Sequence, residues 1–137
     1  MAKVLEGPGM DLLAKWGMRV PHNVVVTSID QLDHLASANV WMRDKRLVAK
    51  AHEAIGSRMK LGLVKVDLDL KGAVKATKEI LGKKIGTMTI SQVIISEMVP
   101  HEAEYYLAVK STREGADILM ANFGTIGICF FEVIVAG

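Results

Sequence analysis

Apolar residues fall along this chain in short runs and stripes whose period switches between that of a helix and that of a strand. Met10, Leu13 and Trp16 recur at helical spacing behind Pro8 and Asp11 and ahead of Gly17, which predicts a short amphipathic helix with a glycine stop. Val20-Pro21 leads into Val24-Val25-Val26, a brief strand. Thr27-Ser28 supplies an N-cap, and Ser28 with Gln31 has capping-box spacing ahead of Ile29, Leu32, Leu35 and Ala36, so a helix is expected there. Leu47 to Lys50 reads as the next strand, Ala51 to Lys60 as a polar loop, and Gly62 to Asp67 as a strand. Asp69 is placed to cap a further helix whose apolar positions Ala73, Val74, Ala76, Ile80 and Leu81 share one stripe, closed by Gly82.

The second half reads as a strand meander. Gln92 to Ser96 is rich in Val and Ile, Tyr105 to Lys110 follows a connection carrying Pro100, and Glu114-Gly115 turns the chain into Asp117 to Met120. These elements together predict an α/β fold, an α+β sandwich built on a mixed sheet with helices packed on one face. The segment from Ile126 to Gly137 is different, almost wholly apolar with one charge. It reads either as a buried final strand or as an exposed edge through which the chain forms a homo-oligomer.

At 137 residues the chain is at most one modest domain. No apolar run is long enough to span a bilayer, and Met1-Ala2-Lys3 leads into Gly7-Pro8-Gly9 instead of an apolar signal region, so no membrane role and a cytoplasmic location are the expectations. Cys129 is the only cysteine, which excludes an internal disulfide and a thiolate metal cluster. The formal net charge of +2 is small and dispersed, and aromatic residues make up 5%, which disfavours a nucleic-acid partner.

Within that frame Lys50 carries the most chemistry. A lysine fixed on a strand beside a flexible loop bearing Arg58 and Lys60 is a device for holding nucleotide phosphates. The same residues also read as a solvated strand end and a solvated loop. His101 after Pro100 reads as a turn residue, and His22, His34 and His52 share no metal-ligand spacing, so they read as surface or packing residues.

Ordered segments add a resemblance. Leu47-Val-Ala-Lys50, Lys60-Leu-Gly-Leu-Val-Lys-Val66, Glu97-Met-Val-Pro-His101, Glu104-Tyr-Tyr106 and Ser111-Thr-Arg-Glu-Gly115 resemble the N-terminal ATP-grasp region of the ATP citrate lyase, citryl-CoA synthetase and succinyl-CoA synthetase β-subunit family. Met1 to Pro8 and Lys15 to Pro21 look most like its two-subunit microbial members. The resemblance covers residues 1–123 as an ATP-grasp N-terminal subdomain and leaves 124–137 as a divergent apolar tail. It implies that Lys50 contacts nucleotide phosphates, that Arg58 and Lys60 match the arginine and lysine of the family's Arg-Gly-Lys loop, that the backbone of Glu97, Met98 and Val99 reads adenine, and that Glu104 faces the nucleotide near its ribose. Met59 stands where many relatives have glycine, and methionine takes positive φ close to a phosphate less readily than glycine does.

The resemblance also implies what lies elsewhere. The cofactors are ATP and Mg²⁺, with the magnesium ligands expected outside this chain, since Phe123-Gly-Thr-Ile-Gly-Ile-Cys-Phe-Phe131 departs from the family pattern. The partner is a CoA-ligase-type subunit carrying the phosphorylated histidine. The function expected is thus the nucleotide-binding portion of an acid–CoA ligase or ATP citrate lyase subunit, incomplete by itself and carrying no catalytic residue. The alternative is a truncated, non-catalytic binding or assembly module.

Overall fold

The computed structural model describes residues 4–56, 58–103 and 105–122. Its centre is a four-stranded sheet in the order β1-β6-β2-β3, formed by Asn23–Val26, Val93–Glu97, Leu47–Ala51 and Val64–Leu68. Every ladder in it is antiparallel. The α/β sandwich read from the sequence is what folds, with parallel pairing absent from the described ladders.

Side-chain alternation divides this sheet into two faces. Val26, Leu47, Ala49, Ala51, Val93 and Ile95 join Leu32, Leu35, Met42 and Leu63 in one buried cluster. Helix α3, Leu70–Ile80, closes that face with Ala73, Ala76 and Ile80. The Asp69 cap is formed, its Oδ1 accepting from Gly72 N at 2.7 Å, and Thr77 returns its hydroxyl to Ala73 O. On the opposite face stand Val25, Lys50 and His52, against helix α1, Glu6–Lys15. The helices therefore occupy both faces, not the single face expected.

Helix α1 begins two residues earlier than its apolar spacing suggests, and Gly7-Pro8-Gly9 lie inside its first turn. Pro8 is tolerated because the first N–H groups of a helix have no intrahelical acceptor to lose. The predicted glycine stop is present: Gly17 has φ +80, donating to Ala14 O, while Met18 donates to Leu13 O, the paired bonds of a Schellman ending.

The capping box at Ser28 and Gln31 also forms, yet the segment it opens is 3₁₀ over Ile29–His34 before a four-residue α2, Leu35–Ala38. A second 3₁₀ turn, Val40–Arg43, leads to β2. Two strands were not anticipated: β4, Lys84–Ile85, and β5, Met88–Thr89, form a hairpin whose turn uses Gly86 at φ +60. Beyond β6, β7 (Tyr105–Thr112) and β8 (Gly115–Asn122) pair along their whole length as a separate two-stranded sheet.

A bulge marks the β2–β3 ladder, where the register shifts between Leu47 and Ala49. Asp67 takes φ 56 opposite it. Aspartate tolerates the left-handed region better than bulkier residues, and Arg46 holds it there, Nε donating to Oδ1 at 2.7 Å and Nη2 to the carbonyl. That ion pair keeps the Asp67 carboxyl below the usual carboxylate range and Arg46 above its ordinary value.

Candidate functional site

Lys50 is the second-last residue of β2, a strand flanked on both sides, by β6 and β3. Its side chain is 3% exposed, so the solvated strand-end reading fails. Burial follows from position: on a central strand both edges are paired, and α1 covers the face from which Lys50 projects. A buried ammonium requires a counter-charge. Glu6, on the first turn of α1, provides it, its Oε1 accepting from Lys50 Nζ.

Arg58 reaches the same carboxylate from the loop after β2. Its Nη1 donates to Ala51 O at 3.0 Å and lies 3.7 Å from Glu6 Oε2. The solvated-loop reading of Arg58 therefore fails as well, with its side chain 13% exposed. Two cations separated by eight positions in sequence thus converge on one oxyanion. Glu6 Oε2 is buried and has no hydrogen-bond partner among the described residues.

The approach of α1 depends on Gly7. A Cβ there would meet Val25 Cγ2 at 3.1 Å and His52 Nε2 at 3.2 Å, closer than packed side chains sit. Instead the bare Gly7 N–H donates to His52 Nε2 at 2.9 Å. His52 in turn places Nδ1 3.0 Å from Gln92 Oε1, so the imidazole spans α1 and the start of β6 as a buried packing residue. Glu6 and Gly7 escaped the sequence reading because a first-turn glutamate is expected on any helix for the sake of the macrodipole. The available signal was a glycine placed inside a helix beside a carboxylate, where propensity disfavours it.

The other expected site residues distribute unevenly. Lys60 is exposed on the loop and makes no ion pair among the described residues. Met59 keeps negative φ, and the loop closes through Gly62 at φ +66 instead. Glu97, at the end of β6, pairs with Leu47 in the ladder, three positions along from the Lys50–Ile94 pair. Its carboxylate accepts from Lys45 Nζ at 2.8 Å and meets His22 Nδ1 at 2.9 Å, while the His22 ring stacks on Trp41. Hydrogen bonds from Lys45 and then His22 hold Glu97 below its ordinary carboxylate value. The backbone N–H groups of Glu97 and Met98 are taken by His22 O and Arg46 O, and Val99 O lies 2.9 Å from His101 Nδ1. Glu104 and the 124–137 tail lie outside the described residues.

An ATP-grasp domain model matches residues 3–128. The chain belongs to the ATP-grasp family. Among its relatives, ATP-citrate synthase alpha chain protein 1 of Arabidopsis thaliana is 33% identical over 117 residues, covering 82% of this chain and 28% of that protein. Succinate–CoA ligase [ADP-forming] subunit beta of Methanocaldococcus jannaschii is 28% identical over 125 residues, 91% of this chain and 32% of the relative. In structure, this ATP-grasp chain is similar to ATP citrate lyase from Methanothrix soehngenii, solved with citrate and coenzyme A, with a TM-score of 0.75 at 29% identity over 91% of this chain and 33% of that one. The chain spans about a third of the length of each of these proteins. Among the described residues no three His, Cys, Asp or Glu side chains gather to hold a metal ion, and no helix is long and apolar enough to cross a membrane.

Proposed function

We propose that this chain is the nucleotide-binding portion of an ATP-dependent acid–CoA ligase or ATP citrate lyase subunit, with Lys50 and Arg58 as its phosphate cations. The observation that supports it is the convergence of both side chains on a single carboxylate. An oxyanion flanked by an ammonium and a guanidinium is the arrangement a phosphate oxygen requires, and the donors are charge-assisted. ATP is the cofactor whose phosphates these two cations would meet, beside the Glu6 carboxylate that lies between them. Lys60, exposed on the same loop, would reach phosphate oxygens farther out. Adenine would be read by the backbone groups of Glu97, Met98 and Val99 other than the Glu97 and Met98 N–H groups, which His22 O and Arg46 O take, and Glu104 would meet the ribose.

ATP-grasp domains bind ATP with Mg²⁺, which supplies neutralisation of the triphosphate charge. The ligands of that ion would lie outside this chain, which spans about a third of its relatives' length. In the reading proposed, the complete system phosphorylates a histidine on a CoA-ligase-type partner subunit and passes the phosphoryl group to citrate or a related acid. Residues 1–123 form the nucleotide-binding subdomain, and 124–137 a tail that contacts a partner or a second copy. The chain works in the cytoplasm.

A second reading, a binding or assembly module, draws on the β7–β8 hairpin. Tyr105, Leu107, Val109, Ile118 and Met120 are all exposed there, and an apolar face of that extent marks a contact surface.

Calorimetric titration with ATP separates the two readings. Arg58→Ala and Lys50→Met each remove a charge-assisted phosphate contact and should weaken binding by roughly 1.5–3 kcal/mol. Wild-type affinity in both folded variants would remove the phosphate role and leave the module.

A further inference from the structure

Glu6 is a buried charge that the nucleotide reading does not itself require. Its side chain is 4% exposed, and it is the only hydrogen-bond partner of Lys50 among the described residues. An ammonium carries three donors, so one bond to Oε1 leaves two without a hydrogen-bond partner among the described residues. Glu6 is also held in place independently of the cations, because Gly7 packs without a side chain against Val25 and donates to His52. Its second oxygen lies 3.7 Å from Arg58 Nη1 without a hydrogen bond, which draws the guanidinium towards the same point, where Nη1 donates to Ala51 O and the other guanidinium N–H groups make no hydrogen bond among the described residues.

We infer that Glu6 is the positioning residue of the phosphate site, holding the Lys50 ammonium and the Arg58 guanidinium together before a phosphate arrives. The inference rests on the reading of Lys50 and Arg58 as phosphate cations. Its physical basis is preorganisation. Two like charges repel, and a flexible four-carbon arm loses much of its freedom on binding, so a fixed carboxylate between them removes both costs in advance. The three groups together keep one net positive charge, so the cradle still attracts an oxyanion.

The test uses the full chain with two probes, ATP and inorganic tripolyphosphate, the latter lacking adenosine. Glu6→Gln keeps the shape and removes the charge, while Glu6→Asp keeps the charge and retracts it by one methylene. Glu6→Gln is expected to lose roughly tenfold or more in affinity for both probes, since a misplaced ammonium forfeits most of a charge-assisted bond. Glu6→Asp is expected to recover part of that loss and remain severalfold weaker than wild type. A folded Glu6→Gln protein, verified by far-UV circular dichroism, that binds either probe as tightly as wild type or tighter overturns the inference; tighter binding would make Glu6 a competitor of phosphate. Should the Gln variant fail to fold, Glu6→Asp carries the test, and equal or tighter binding by it overturns the inference. Lys50→Met separates the two levels: if it binds like wild type the phosphate reading itself falls, whereas a weakened Lys50→Met beside unaffected Glu6 variants removes only the role of Glu6.

Discussion

The four-stranded sheet and the β7–β8 hairpin are both antiparallel ladders, but they are stabilised differently. In the sheet, Lys50 and Ile95 lie on opposite faces, and each face is covered, one by α1 and the other by α3 with the segments before β2. In the hairpin, Leu107 pairs with Met120 and Val109 with Ile118, and all four side chains remain exposed. Backbone pairing alone thus accounts for neither a core nor a site. Covering the second face is what turns a strand lysine from a solvated charge into a buried one that needs a partner.

The largest expected effect breaks that covered face. Lys50→Met leaves the Glu6 carboxylate buried beside Arg58 alone, and should cost about 3–5 kcal/mol in urea unfolding. Combined with Glu6→Gln, much of the loss should return, because the buried carboxylate is removed together with its ammonium, while Arg58 loses its counter-charge and keeps its bond to Ala51 O. A double variant as unstable as the sum of the two single ones would mean that the pair contributes no coupling.

Apolar truncation sharpens the contrast between the two ladders. Ile95→Ala empties a fully buried position in the central cluster and should cost about 2–5 kcal/mol. Leu107→Ala, at a position 61% exposed on the hairpin, should stay within about 0.5 kcal/mol in the same unfolding measurement. Equal losses would place the hairpin face in a core of its own.

The smallest effect concerns the end of β6. Glu97 has a depressed carboxyl pKa when folded, so its pairing with Lys45 and His22 contributes fully above the ordinary value of 4.5 and is lost as pH falls through the folded value. Lys45 and His22 are largely exposed, which limits the contribution to less than roughly 1 kcal/mol. Glu97→Gln should therefore be slightly less stable than wild type at neutral pH and indistinguishable from it in strong acid. A difference that persists unchanged at low pH would assign the loss to packing instead of charge.

Local chemistry made much of the fold legible. Asp69, Ser28 with Gln31, and Gly17 each satisfy orphan backbone groups within a few residues, so their roles follow from spacing. The same locality explains the misses. The capping box at Ser28 fixes where the turn starts but not whether it continues as 3₁₀ or α, which packing of Leu32 and Leu35 against the sheet decides. The Lys84–Thr89 hairpin is two short strands around Gly86, below the length at which alternation becomes a signal.

For the candidate site, spacing along the chain pointed to two cations: a lysine ending an apolar run and an arginine in the loop behind it. Their depth and their shared partner were decided only by tertiary structure. Glu6 lies 44 positions from Lys50 in sequence, and nothing local distinguishes it from a first-turn carboxylate serving the helix dipole. It becomes the counter-charge because Gly7 has no side chain to keep α1 away from β1 and His52, and because α1 covers the face from which the central-strand Lys50 projects, leaving its side chain 3% exposed.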